Sequence, residues 1–116
     1  NPPHIFQVNW FATDDQGKFL WPGFGENLRA LLWVIDRCNG KGKAQETPIG
    51  FVPTPDALDL NGLNLPEQAV QKLLSVDKAV WKAEVEDQKK FFAQFGDRTP
   101  KVLLEEQQKL AKRLEN

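Results

Sequence analysis

Nineteen residues, Asn9 to Asn27 (NWFATDDQGKFLWPGFGEN), constrain this chain more than any other stretch. They hold Trp10, Phe11, Phe19, Trp21 and Phe24, together with three glycines and one proline. Core strands and helices hide aromatics by strict alternation or by spacing of about 3.6 residues. These aromatics follow neither period. They are spread over a strand end, a Gly-containing turn and the loop Trp21-Pro22-Gly23-Phe24-Gly25, which runs into an apolar helical pattern near Glu26. Gly and Pro set special backbone angles and close approaches in such loops. Aromatic faces held at the mouth of a helix suit a flat π ligand such as a nucleobase, each stacked base being worth about 1–3 kcal/mol. The residues alone leave open a second reading, in which the same rings plug a local core. Neither the Gly-x-Gly-x-x-Gly pattern nor the Walker A spacing occurs, so no phosphate cradle is expected from this sequence.

The rest of the composition narrows the class. A chain of 116 residues is one domain or a piece of one, and its opening Asn-Pro-Pro with no methionine reads as a piece of a longer protein. Hydrophobic content of 41% with 27% charged residues fits a soluble globular chain, and four Trp and eight Phe supply much of its core. A net charge of −1 gives no drive toward nucleic acid or an anionic membrane. With no signal peptide and no long apolar run, the expected location is cytoplasmic. Cys38 is the single cysteine; it falls on an apolar helical stripe and is expected as a buried thiol. His4 has no Cys or His companions, so no metal site is expected there. Asp14-Asp15 before a turn glycine falls far short of an EF-hand loop. Glu84, Glu86 and Asp87 read as a solvated helix face, and one histidine supports no Ser-His-Asp or Cys-His arrangement.

In chain order the pattern is α+β. Ile5–Phe11 is rich in strand formers and enters through Pro2-Pro3. Asp14-Asp15-Gln16-Gly17 reads as a hairpin turn into a short Lys18-Phe19-Leu20 strand. A helix over Glu26–Asn39 carries the stripe Leu28, Leu31, Leu32, Ile35 and Cys38 and stops at Asn39-Gly40. The irregular stretch 44–62 holds a short strand over Ile49–Val52. Pro66 opens a second helix with Ala69, Val70, Leu73 and Leu74 inward. Asp77 caps a third reaching Phe95, with Trp81, Val85, Gln88, Phe92 and Phe95 on one face. Thr99-Pro100 starts a fourth, with Leu103, Gln107, Leu110 and Leu114 aligned. Residues 1–25 are thus expected to form strands and an aromatic loop, and 26–116 about four supporting helices, with no repeat and no domain boundary among them.

The run Val8-Asn9-Trp10-Phe11, followed by Gly17-Lys18-Phe19-Leu20-Trp21-Pro22-Gly23-Phe24-Gly25-Glu26-Asn27, resembles the guanine-binding region of the GTP-dependent phosphoenolpyruvate carboxykinases. Glu46–Gly50 and Ala57–Leu60 resemble the family's next segment more loosely, so the resemblance spans residues 1–116 as the C-terminal portion of the nucleotide-binding domain of an α/β enzyme. It implies that Phe11, Phe19 and Phe24 enclose the guanine of GTP or GDP, two rings sandwiching the base and a third closing an edge. It implies a hydrogen bond from Asn27 to the base and a backbone and packing role for Trp10. Guanine offers an O6 acceptor with N1 and N2 donors, and a mismatched edge leaves polar groups unpaired at about 1–3 kcal/mol each. Trp21 is expected as core support for the loop, whose path Pro22, Gly23 and Gly25 set.

The resemblance also implies a parent lyase of gluconeogenesis, which decarboxylates oxaloacetate and phosphorylates the enolate with GTP to give phosphoenolpyruvate, CO2 and GDP. Manganese or magnesium assists that chemistry, held by residues outside this stretch, as are the phosphate loop, the substrate arginines and the lid. No catalytic or metal residue is therefore expected here. The expected partners are a guanine nucleotide and the upstream part of the same enzyme, with neither nucleic acid nor membrane. Ala12-Thr13 departs from the family, in which a basic pair commonly follows Asn-Trp-Phe. The alternative is a non-catalytic binding module whose aromatic platform takes sugar or peptide, which calls for coplanar, exposed Trp rings. A purely structural domain, with all loop aromatics in the core, is the third possibility.

Overall fold

The computed structural model describes residues 2–115. It is α+β: one small sheet with helices before and after it. Strands β1 (Ala44–Thr47) and β2 (Gly50–Pro53) pair through a tight turn at Pro48-Ile49, closed by the Thr47 hydroxyl donating to the Gly50 carbonyl at 2.6 Å. Ile5–Phe11 forms no strand, and Lys18–Leu20 is reduced to one antiparallel bridge between Thr13 and Phe19. Strand-forming side chains express that preference only on a pleated surface packed against neighbours. Ile5 and Val8 are exposed and no ladder forms beside them among the described residues. Strand β1 went unread because Ala-Gln-Glu-Thr carries no apolar alternation.

Contacts divide the described residues into two compact units. The first holds the residues up to Gln45 with Phe51–Ser75, and the second holds Glu46–Gly50 with those from Val76 onward. This break, between the second and third helices, was not expected from the sequence.

In the first unit a 3-10 turn over Phe24–Glu26 runs directly into α1 (Asn27–Cys38). The side of α1 that is covered is not the leucine stripe. Trp33 is the buried residue, its indole N–H donating to the Lys43 carbonyl at 2.9 Å and its ring meeting Phe6 edge-on at 5.9 Å. Arg37 adds a bond to the Gly42 carbonyl at 3.2 Å and lies over the Phe51 ring. Leu28, Leu31, Leu32 and Ile35 are exposed, and Cys38 is an exposed thiol rather than a buried one. The physical reason is local. Past Gly40 the chain folds back along the Trp33 side, where a large ring, an indole donor and a guanidinium all find partners. Gly42 makes this close approach possible: its φ is +70° and a Cβ there would sit 3.3 Å from Asp36 Cβ. Helix α2 (Glu67–Leu74) follows Pro66, which caps rather than joins it, and buries Val70.

The second unit is a helical hairpin. Asp77 caps α3 (Lys78–Ala93), its Oδ1 accepting from the amides of Ala79 and Val80 at 2.8 and 3.2 Å. A 3-10 turn over Gly96–Arg98 reverses the chain into α4 (Lys101–Glu115). Later residues of α4 meet earlier ones of α3, so the pair is antiparallel: Thr99 Oγ1 donates to the Phe92 carbonyl at 3.0 Å and Gln107 Nε2 to that of Val85 at 3.1 Å. Val85 and Leu114 are buried between the helices. Phe95 and Leu103, expected on the inner stripes, are exposed beside the turn that joins the two helices. Arg113 Nε donates to the Pro48 carbonyl at 2.8 Å and so fixes the tip of the β1–β2 turn to α4.

Candidate functional site

Asp14 builds the turn that carries the aromatics. Its Oδ1 accepts from the amides of Gln16 and Lys18, both at 2.9 Å, while its carbonyl accepts from Gly17 at 3.1 Å. Gly17 sits at φ +77°, a conformation that a Cβ would strain. Two further bonds, Asp14 N–H to the Lys18 carbonyl and Leu20 N–H to that of Ala12, both 2.9 Å, zip the hairpin stem. Lys72 of α2 grips the turn through an ion pair with Asp15 at 2.6 Å. That lysine, by hydrogen bond and then by charge, holds the Asp15 carboxyl below its ordinary value.

The stem sets Phe11 and Phe19 side by side, ring centres 6.1 Å apart with planes at 62°. Both rings are more than half exposed, at 74% and 60%, so neither is a core plug of this chain. Phe24 stands on the 3-10 turn at 91% exposure, and no ring among the described residues pairs with it. The structure therefore brings together two of the three phenylalanines and leaves the third apart. Ala12 and Thr13 lie within the stem itself, Thr13 forming the bridge to Phe19.

The two tryptophans of the stretch are more buried than its phenylalanines. Trp10 and Trp21 approach at 5.9 Å, Trp10 half-buried and Trp21 only 7% exposed. The Trp21 indole N–H donates to Asn27 Oδ1 at 2.8 Å, which joins the loop to the first residue of α1. Two residues along that helix, Arg29 Nε pairs with Glu26 at 2.7 Å and Nη1 donates to the Asp59 carbonyl at 2.6 Å. The guanidinium thus ties the loop–helix junction to the segment after β2. Sugar-binding platforms display exposed, coplanar tryptophans; here the exposed rings are phenylalanines and the loop tryptophans tilt 45° to each other.

Sequence reasoning missed the polar frame: Arg29, Lys72 and the indole N–H of Trp21. The Glu26–Arg29 spacing was a usable signal for the first, since residues three apart on a helix are neighbours. A buried tryptophan needs a partner for its N–H, which was a signal for the third. Lys72 and Asp15 lie too far apart in sequence for any local rule. His4 is exposed, and no group of three His, Cys, Asp or Glu gathers among the described residues.

Comparison with known proteins shows the family. Residues 1–113 match the family described as the phosphoenolpyruvate carboxykinase C-terminal P-loop domain. The chain is 50% identical over 113 residues to "Phosphoenolpyruvate carboxykinase [GTP]" of Neocallimastix frontalis, covering 97% of the chain and 18% of that protein. It is 51% identical over 104 residues to the protein of the same name from Treponema pallidum, covering 89% of the chain and 17% of the relative. For the Arthrobacter protein the identity is 48% over 112 residues, covering 97% and 18%. The chain thus spans less than a fifth of the length of each of these relatives. With a family match running over nearly its whole length, the chain belongs to the phosphoenolpyruvate carboxykinase C-terminal P-loop domain family.

Proposed function

We propose that this chain holds the guanine base of GTP or GDP in a GTP-dependent phosphoenolpyruvate carboxykinase, a cytoplasmic lyase of gluconeogenesis. The parent reaction converts oxaloacetate and GTP to phosphoenolpyruvate, CO2 and GDP. The observation that carries the reading is the pair of exposed rings, Phe11 and Phe19, presented side by side on a turn braced by Asp14 and Lys72. Phe24 supplies the third ring, Asn27 the polar contact to the base edge, and Trp10 the packing beneath. A purine between two parallel rings needs two contacts of about 3.5 Å each, a spacing of roughly 7 Å. The rings stand 6.1 Å apart and inclined, so base entry swings at least one of them. Exposed side chains change rotamer on a picosecond-to-nanosecond scale and offer little resistance.

The phosphate, substrate and metal chemistry belongs to the remainder of the enzyme, where manganese or magnesium is bound. The role of this chain is to select guanine. Titration with GTP, GDP and ATP, followed by tryptophan emission, tests this. The expected result is a response to the two guanine nucleotides that exceeds the response to ATP, and its loss in Phe24→Ala. An equal response to ATP overturns the reading.

A further inference from the structure

We infer that Trp21 is a specificity-determining residue: its indole N–H fixes the orientation of the Asn27 amide so that the amino group faces the base and reads the guanine O6. The inference rests on the guanine-holding role proposed above and assigns the element of that site that sets base preference.

An indole N–H can only donate, so the amide atom facing it at 2.8 Å must be the oxygen. An asparagine amide in solution presents its oxygen or its amino group to a ligand with equal ease, through a half-turn about its last torsion. Here that half-turn would set the Asn27 amino group against the Trp21 N–H, donor against donor. Trp21 cannot move aside, because it is buried and packed against Trp10. Asn27 cannot withdraw either, since it is the first residue of α1 and its own backbone N–H is spent on the Phe24 carbonyl. The amide is therefore locked with Nδ2, and its two hydrogens, turned away from the indole.

Guanine and adenine differ where this matters. Guanine carries an acceptor, O6, at the position where adenine carries an amino donor. A locked amino group welcomes the first and opposes the second. An unlocked amide would turn its oxygen outward for adenine and accept both bases. Selectivity then belongs to the Trp21–Asn27 pair and not to Asn27 alone, and Trp21 acts as a positioning residue that never touches the base.

The test is equilibrium dialysis of this chain with GDP, IDP and ADP, for the wild type, Trp21→Phe and Asn27→Asp. Phenylalanine keeps a packed ring and removes the N–H. Aspartate still accepts from the indole but has no hydrogens for O6. We expect the wild type to favour GDP and IDP over ADP, since inosine keeps O6. Trp21→Phe should narrow both preferences about tenfold, the effect of one well-made hydrogen bond, chiefly by gaining ADP. Asn27→Asp should narrow them by losing GDP and IDP. In the ligand-free chain, Asn27→Ala should shift the Trp21 indole cross-peak and speed its solvent exchange, a signature that loop packing alone would not give. A Trp21→Phe chain that keeps full preference while Asn27→Asp loses it overturns this inference and spares the guanine reading. An indole cross-peak unmoved by Asn27→Ala likewise overturns it. A wild-type chain with no preference, or with no uptake of any of the three, overturns the guanine reading for this chain and this inference with it.

Discussion

Asp56 shows how far single residues can be argued from their neighbours alone. A hydrogen bond from Lys43, then one from the Thr54 hydroxyl, holds its carboxyl down from 3.8 to about 2. Lys43 is correspondingly raised by the same partner. A carboxyl depressed on folding contributes its stabilisation above its unfolded value, and that contribution is lost as pH falls through the folded one. The window here runs from about pH 3.8 down to about 2. Carbon-detected NMR titration should place the Asp56 midpoint near the lower figure, and Lys43→Met should move it back up; a midpoint that ignores the substitution contradicts the assignment. Both side chains are exposed, so the effect on overall stability is small. The Asp14–Gly17 turn was legible in the sequence because its chemistry is contained within five residues. The Trp21–Asn27 bond was not, because it depends on the fold of the loop between them.

Helix α1 carries the sharpest contrast between pattern and burial. Its leucine stripe has the spacing of a core face, yet Trp33, on another side, is the residue of this helix that is buried. Trp33→Ala should cost about 3–5 kcal/mol in a denaturant melt, since it empties a large site and orphans the Lys43 carbonyl. Leu32→Ser should fall within about 0.5 kcal/mol, as exposed substitutions do. Equal costs would contradict the assignment of faces. In the helical hairpin, Leu114→Ala should cost about 2–5 kcal/mol and raise amide exchange in α3 and α4, because Leu114 is fully buried. Wild-type protection in the variant would contradict that. Helices α2 and α3, the Asp77 cap and the buried positions Val70, Val85 and Leu114 were readable from periodicity and capping, which are local rules. The strand expected over Ile5–Phe11 does not form, because a strand exists only with a partner, and the buried side of α1 was decided by a chain reversal at Gly42.

At the scale of the whole molecule, two compact units share one chain, and the candidate site lies entirely in the first. Every residue proposed to meet or position the base, from Trp10 to Asn27, falls before the first helix has made a single turn. The candidate site was legible here as a resemblance, because the aromatics, glycines and terminal asparagine of one short stretch carry a family's motif. Its bracing was not legible, since Lys72, Arg29 and the segment around Asp59 reach the site only through the fold. The central claim is that Phe11 and Phe19 are the walls of a guanine site. Nuclear Overhauser contacts between the H8 proton of bound GDP and the ring protons of this chain test it directly. Contacts to both Phe11 and Phe19 are expected, with H8 shifted upfield by the stacked rings. Bound GDP whose H8 contacts neither ring would contradict it.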